Sequence, residues 1–284
     1  MRLFLLVCVT MCAFAANSLL NRAALTSGGI DAVSFATLRL VAGAFMLGAL
    51  VLLRHGGLRL GGRGRLAGVV GLFLYMYGFS LAYDGLPAGL GALLLFGMVQ
   101  VTMFVGSLVM GETIPARRWL GAALAFAGLA WLLWPGGEAA PSLPHSAAML
   151  AAGLGWGVYS LAGRLSEVPL TSAAATMVIT AGLGLLVQLG AWPVGLAHGG
   201  WGGEAIALAV ISGAVTSGLG YALWYTVLPR IPGSIAAVAQ LTVPVLAMAG
   251  GIALLGESLS PRFAVSAALV LGGVGLSVLP KRRA

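Results

Sequence analysis

Apolar residues in this chain neither alternate with polar ones nor recur at helical spacing; they run on without a break. Ten stretches of 17–24 residues follow one another, at 3–21, 32–53, 66–84, 88–110, 118–134, 147–164, 170–192, 205–228, 233–255 and 263–279. Short segments rich in Gly, Pro, Ser and Arg separate them. A helix of about 20 residues spans the ~30 Å apolar core of a bilayer. Lipid offers the backbone no hydrogen-bond partner, so each stretch is predicted to be a helix, closed on its own bonds. The expected fold is an all-α integral membrane protein of ten transmembrane helices.

The pattern is also written twice. Each copy passes from an aromatic helix end through a Leu-Pro break into a long apolar run, then meets a Gly-Glu pair, Gly111-Glu112 or Gly256-Glu257. Glu112, Arg117 and Pro135 match Glu257, Arg262 and Pro280 at one offset. Phe14, Asn17, Ser18 and Arg22 match Trp156, Tyr159, Ser160 and Arg164 at another. Regular self-similarity of this kind points to duplication. The expected units are residues 1–136 and 145–284. Five spans are an odd number, so the second unit enters the membrane from the opposite side, and the two are expected to be inverted repeats. The first fifteen residues imitate a secretory leader (Arg2, an apolar core, then Ala13-Phe14-Ala15), but their counterpart in the second unit favours a retained first helix.

Composition agrees: 60% of the residues are hydrophobic, 8% are charged, and the mean hydropathy is +1.04. A net charge of +8 would suit nucleic acid, but its placement does not. Twelve of the 15 basic residues fall on the side of the N-terminus, Arg22 and Arg262 fall opposite, and Arg39 lies within a span. That bias predicts cytoplasmic termini in a bacterial inner membrane. The implied partners are the lipid bilayer and a small-molecule cargo, without nucleic acid, in a monomer or homodimer.

Candidate chemistry is sparse. Tyr75, Phe79 and Tyr83 share one helix face, as do Tyr221, Trp224 and Tyr225, and the two stripes correspond in the repeat. An interfacial belt accounts for Trp119, Trp131, Trp134, Trp192 and Trp201; the matched stripes suggest a lined cavity instead. Asn17 and Tyr159 occupy equivalent positions, and so do Gln100 and Gln240, which suggests a polar site between the units; Gln188 lacks a match and reads as helix-to-helix glue. The expected cargo residues are therefore Asn17, Phe79, Tyr83, Gln100, Trp156, Tyr159, Trp224, Tyr225 and Gln240, on the first, third, fourth, sixth, eighth and ninth runs. Arg39 either snorkels or bonds a neighbouring helix, or it meets an anionic cargo or a carboxylate. Gly85, Pro87, Pro229, Pro232 and Gly233 break the chain at corresponding places and are the expected hinges. Gly153-x-x-x-Gly157, and Ala123 and Ala127 with Ala268 and Gly272, mark close helix contacts, either within the monomer or between two copies. Cys8 and Cys12 read as packing residues. His55, His145 and His198 all fall in predicted loops, no metal-ligand set or nucleotide loop is present, and neither an enzyme, a cofactor nor a metal is expected.

Ten spans in two inverted fives, the Gly-Glu turns, and Leu255-Gly256-Glu257 with Pro244 ahead of them resemble the drug/metabolite transporter superfamily and its EamA-type members. The first-unit turn departs from this pattern, with Val99 where that proline would stand. Among such families the chain is similar to the YddG-type amino-acid exporters. The resemblance implies export of small metabolites, commonly amino acids, by alternating access. Competing readings are a multidrug exporter of lipophilic cations and, in another class, a non-transporting receptor or assembly factor. Proton-coupled cation export favours a buried carboxylate, and none of the seven acids lies mid-span.

Overall fold

A computed structural model describes the chain except for residues 1, 110, 112–114, 135–140, 164, 167, 194–196, 198–200, 228–229, 231–238, 241 and 279–284, and the side chains of 107, 118, 274, 277 and 278. Every regular element among the described residues is helical: α1 (Arg2–Thr26), α2 (Ala32–His55), α3 (Arg65–Gly85), α4 (Ala88–Val109), α5 (Ala116–Leu133), α6 (Leu143–Gly163), α7 (Pro169–Ala191), α8 (Gly203–Val227), α9 (Thr242–Leu255) and α10 (Pro261–Val278). α1, α2, α3, α4, α7 and α8 are long and apolar enough to cross a bilayer; the apolar parts of α5, α9 and α10 described here are shorter. Expected hinges Pro229, Pro232 and Gly233, and the first-unit Glu112, lie outside the described residues.

The helix ends follow local chemistry. Asp31 caps α2 by accepting from the Ser34 backbone N–H at 2.8 Å. Pro169 opens α7, where its missing N–H costs nothing. The glycines of the two Gly-Glu pairs both adopt left-handed backbone after α4 and α9, with φ +74° at Gly111 and +66° at Gly256. A side chain would be strained there, so glycine stops both helices.

Small residues set the packing. α6 lies between α3 and α4 and meets each through glycine. A Cβ on Gly153 would lie 2.7 Å from the Leu95 carbonyl oxygen, and one on Gly157 would lie 2.5 Å from the Thr102 methyl carbon. On the α3 side, a Cβ on Gly155 would come within 2.5 Å of the Gly71 carbonyl oxygen and 2.7 Å of the Tyr75 nitrogen. Backbone therefore touches backbone, which dispersion rewards when lipid supplies no hydrophobic drive. α5 and α10 pack in the same way, though within the chain they do not use the small-residue faces singled out in the sequence. Ala123, Ala127, Ala268 and Gly272 are exposed, and Gly121, Ala125 and Gly128 meet Ser266, Val270 and Gly273 instead. α2 packs on α7 and on α8, and α1 packs on α8 and α9.

α8 holds one irregularity that bears on function. Residues Ser212–Leu219 form a π-helical segment between two α-helical turns. Its residue Gly213 lies so close to α2 that a Cβ would stand 2.3 Å from the Arg39 carbonyl oxygen. The widened turn brings Ser212, Thr216 and Ser217 to one side, facing α1 and α2.

Candidate functional site

The close α3–α6 contact brings Tyr75 and Trp156 together, with ring centroids 4.9 Å apart. From there an aromatic column runs through the bundle. Trp156 touches Tyr159 at 5.4 Å and Tyr221 at 5.2 Å, Tyr75 touches Phe79 at 5.3 Å, and Phe14 of α1 lies edge-on to Trp156, Tyr221 and Trp224. Edge and tilted contacts match positive ring edges to negative faces. The seven tryptophans divide cleanly: Trp156 and Trp224 are buried, whereas Trp119, Trp131, Trp134, Trp192 and Trp201 are exposed.

One end of the column opens. The Tyr225 hydroxyl donates to that of Tyr159 at 3.1 Å, and both border a narrow cleft between α3, α6, α7 and α8 with room for about one water molecule. Arg65 stands at its rim and is fully tied: its guanidinium donates to the Ser172 carbonyl at 2.5 Å, to the Thr176 hydroxyl at 2.5 Å, and to the Leu60 and Gly61 carbonyls. The contribution of α7 through Ser172 and Thr176 departs from the set of runs expected to line a cavity.

Deeper in the column sits Arg39, wholly shielded from solvent. It does not snorkel. Nε donates to Ser217 Oγ at 3.0 Å and Nη2 to the Tyr75 hydroxyl at 2.9 Å, while the guanidinium carbon rests 4.8 Å from the Phe79 centroid and 5.3 Å from that of Tyr75. Ring faces partly replace water around the cation. Ser217 passes the interaction on to Asn17, whose Oδ1 accepts from Ser212 at 2.9 Å, Thr216 at 2.5 Å and Ser217 at 3.3 Å. Among the described residues no carboxylate pairs with Arg39.

Opposite the cleft, α3 and α4 are tied off. Glu257, just beyond α9, folds back so that both carboxylate oxygens accept from the Ala88 N–H at 2.8 and 2.9 Å, and it lies 3.7 Å from Arg22. A carboxylate here meets the positive end of the α4 dipole. Arg22 also donates to the Tyr83 and Asp84 carbonyls at the end of α3. Gly85 leaves room for the His145 ring, and Pro87 accepts from Gly91 N–H in the first turn of α4.

The structure thus gathers Asn17, Phe79, Trp156, Tyr159, Trp224 and Tyr225 around one column. Tyr83 extends the column, edge-on to Phe79 at 4.7 Å, and also braces it, lying over Gly91 and donating to the Ala88 carbonyl at 3.1 Å. Gln100 and Gln240 are half-buried, and among the described residues neither has a hydrogen-bond partner. Gln188 donates to Ser34 Oγ at 3.0 Å and joins α7 to α2, as a glue residue does. Tyr75 and Tyr221 belong to the matched stripes expected to line a cavity but not to the expected cargo set, and neither Phe14 nor the hydroxyls of α8 were placed in the site. The i, i+4, i+5 spacing of Ser212, Thr216 and Ser217 was the visible trace of the last group.

The EamA-like transporter family matches residues 1–134 and again 145–279. The chain belongs to that family. It is therefore a multi-pass membrane protein of a small-molecule transporter family, a family of carriers rather than of enzymes. An uncharacterized protein of Pseudomonas aeruginosa is 45% identical to this EamA-like chain over 282 residues, spanning 99% of it and 96% of the relative. A solved crystal structure shares the fold at a TM-score of 0.65 and 21% identity, over 97% of this chain and 96% of that one.

Proposed function

We propose that this EamA-like transporter exports small metabolites, best matched by neutral or aromatic amino acids, by alternating access and without proton coupling. Ten spans form two inverted five-helix repeats in the inner membrane, with cytoplasmic termini, and the protein acts as a monomer or homodimer. The pairing of helices supports the inverted arrangement. Exchanging α1–α5 for α6–α10 turns the α3–α6 contact into α8–α1 and α4–α6 into α9–α1, and leaves α2–α7, α5–α10 and α4–α9 unchanged; all of these contacts occur. The observation that carries the reading is the one-sided column. It opens at the Tyr159–Tyr225 cleft, beside the basic loop before α3, and is tied off at the other end by Glu257 and Arg22. That is the disposition of a carrier open to the cytoplasm. Cargo enters at the cleft, and rocking of the repeats about Gly85, Pro87, Pro229, Pro232 and Gly233 releases it outward once the Glu257 tie parts. Aromatic walls suit a flat apolar side chain, and amides and hydroxyls suit the charged ends of a zwitterion.

The test is efflux from liposomes holding the purified protein, screened against phenylalanine, tryptophan, leucine and two lipophilic cations. Efflux of the amino acids, lost on Trp156→Ala with the folded protein retained, is the expected result. Efflux confined to the cations would replace this reading with a multidrug one.

A further inference from the structure

Two buried polar groups in the column have no hydrogen-bond partner among the described residues: Arg39 Nη1 and the Tyr221 hydroxyl. They belong to one cluster: Tyr75, which accepts from Arg39, and Tyr221 both pack against Trp156, with ring centroids 4.9 and 5.2 Å away. Leaving a buried polar group unpaired costs about 1–3 kcal/mol, and more for a charged one. A cation at membrane depth without a counter-ion adds to that cost. Arg39 Nη1 can only donate and the Tyr221 hydroxyl can donate or accept, so one acceptor serves both, and what the charge of the cluster lacks is an anion.

We infer that Arg39 Nη1 and the Tyr221 hydroxyl are the binding site for the carboxylate of the cargo. The inference rests on the transport reading above and narrows it: the cargo must be a carboxylate, with its apolar part among Phe14, Trp156 and Trp224. The remaining contacts of Arg39 fit the role. Ser217 and Tyr75 fix Nε and Nη2, and Asn17 fixes Ser217, which leaves one edge of the guanidinium unpartnered. Gly213 allows the π-helical segment to approach α2 closely enough to do this. A cargo amine placed here would meet a like charge, so lipophilic cations are repelled. The carboxylate takes no part in proton coupling, because arginine stays protonated throughout the useful pH range.

The test compares phenylalanine, 3-phenylpropionate and phenethylamine, which share a ring and differ in their charged ends. Binding to purified protein is read by quenching of tryptophan fluorescence, and flux is read separately in liposomes. Phenylalanine and phenylpropionate should bind, with phenethylamine at least tenfold weaker. Tyr221→Phe, which removes one hydroxyl, should weaken the two carboxylates several-fold while leaving their ring contacts. Arg39→Gln should abolish the preference over the amine, and Arg39→Lys, which keeps the charge, should retain part of it and serve as the folding control. Equal binding of phenethylamine by the native protein, or an unchanged preference in folded Arg39→Gln and Tyr221→Phe, would overturn the inference. Flux of the amine without carboxylate binding would sink it while leaving transport intact. Carboxylate binding without flux of any probe would uphold the site and count against the transport reading.

Discussion

At the scale of single residues, Asn17 shows how a polar group earns a place inside a membrane protein. Its carbonyl gathers three hydroxyls from α8, and one of these, Ser217, receives Arg39. Asn17→Ala therefore strands Ser212, whose hydroxyl has no other described acceptor, and loosens the aim of Ser217. The expected outcome is a loss of about 1–3 kcal/mol in thermal or denaturant unfolding, together with weaker cargo binding. Unchanged stability and binding would make Asn17 a bystander. Sequence singled out Asn17 through its match to Tyr159, but not its partners. Its partners lie some 200 positions away, and no local pattern names them. Arg39 was legible as a buried charge for the same reason that its partners were not: an isolated arginine in an apolar run announces depth, whereas Tyr75 and Ser217 reach it only through the tertiary contact.

Among elements, the decisive contact is α3 against α6. Gly155 and Gly71 let the two backbones touch, and the Tyr75–Trp156 pair follows from it. Gly155→Ala should lower stability by about 1–3 kcal/mol, because the added carbon meets backbone atoms that cannot turn aside. Gly182→Ala on α7, where a Cβ meets nothing within 4 Å, is the control and should be close to neutral. Equal melting temperatures for the two variants would remove the close contact from the account. Sequence identified the Gly153–Gly157 spacing correctly as a packing motif. It left open whether Ala123, Ala127, Ala268 and Gly272 meet within the monomer or between two copies; they are exposed in the single chain, and small residues occur on more than one side of both helices, so composition alone does not say which side meets lipid. The π-helical segment was illegible for a different reason. Its sequence, from Ser212 to Leu219, is equally good α-helix, and the extra residue per turn is imposed by the partners it reaches.

For the whole molecule, the apolar runs gave the all-helical class and the positions of the described helices, because bilayer thickness constrains length so strongly. They could not show which end of the bundle is open, since that depends on contacts such as Glu257 with the first turn of α4, made across 169 positions. The central claim is that the two halves carry one cargo molecule at a time past a site reached from either side, driven by the cargo gradient alone. Counterflow in liposomes tests it most directly. Vesicles containing the protein are loaded with unlabelled phenylalanine and diluted into a trace of labelled phenylalanine, with equal pH on both sides and the membrane potential clamped. A carrier exchanging cargo predicts transient accumulation of label above its outside concentration, followed by decay to equilibrium. A two-unit pH step imposed across vesicles holding equal cargo on both sides should cause no net accumulation. Folded protein that shows no counterflow overshoot, or that concentrates cargo on the pH step, would contradict the account.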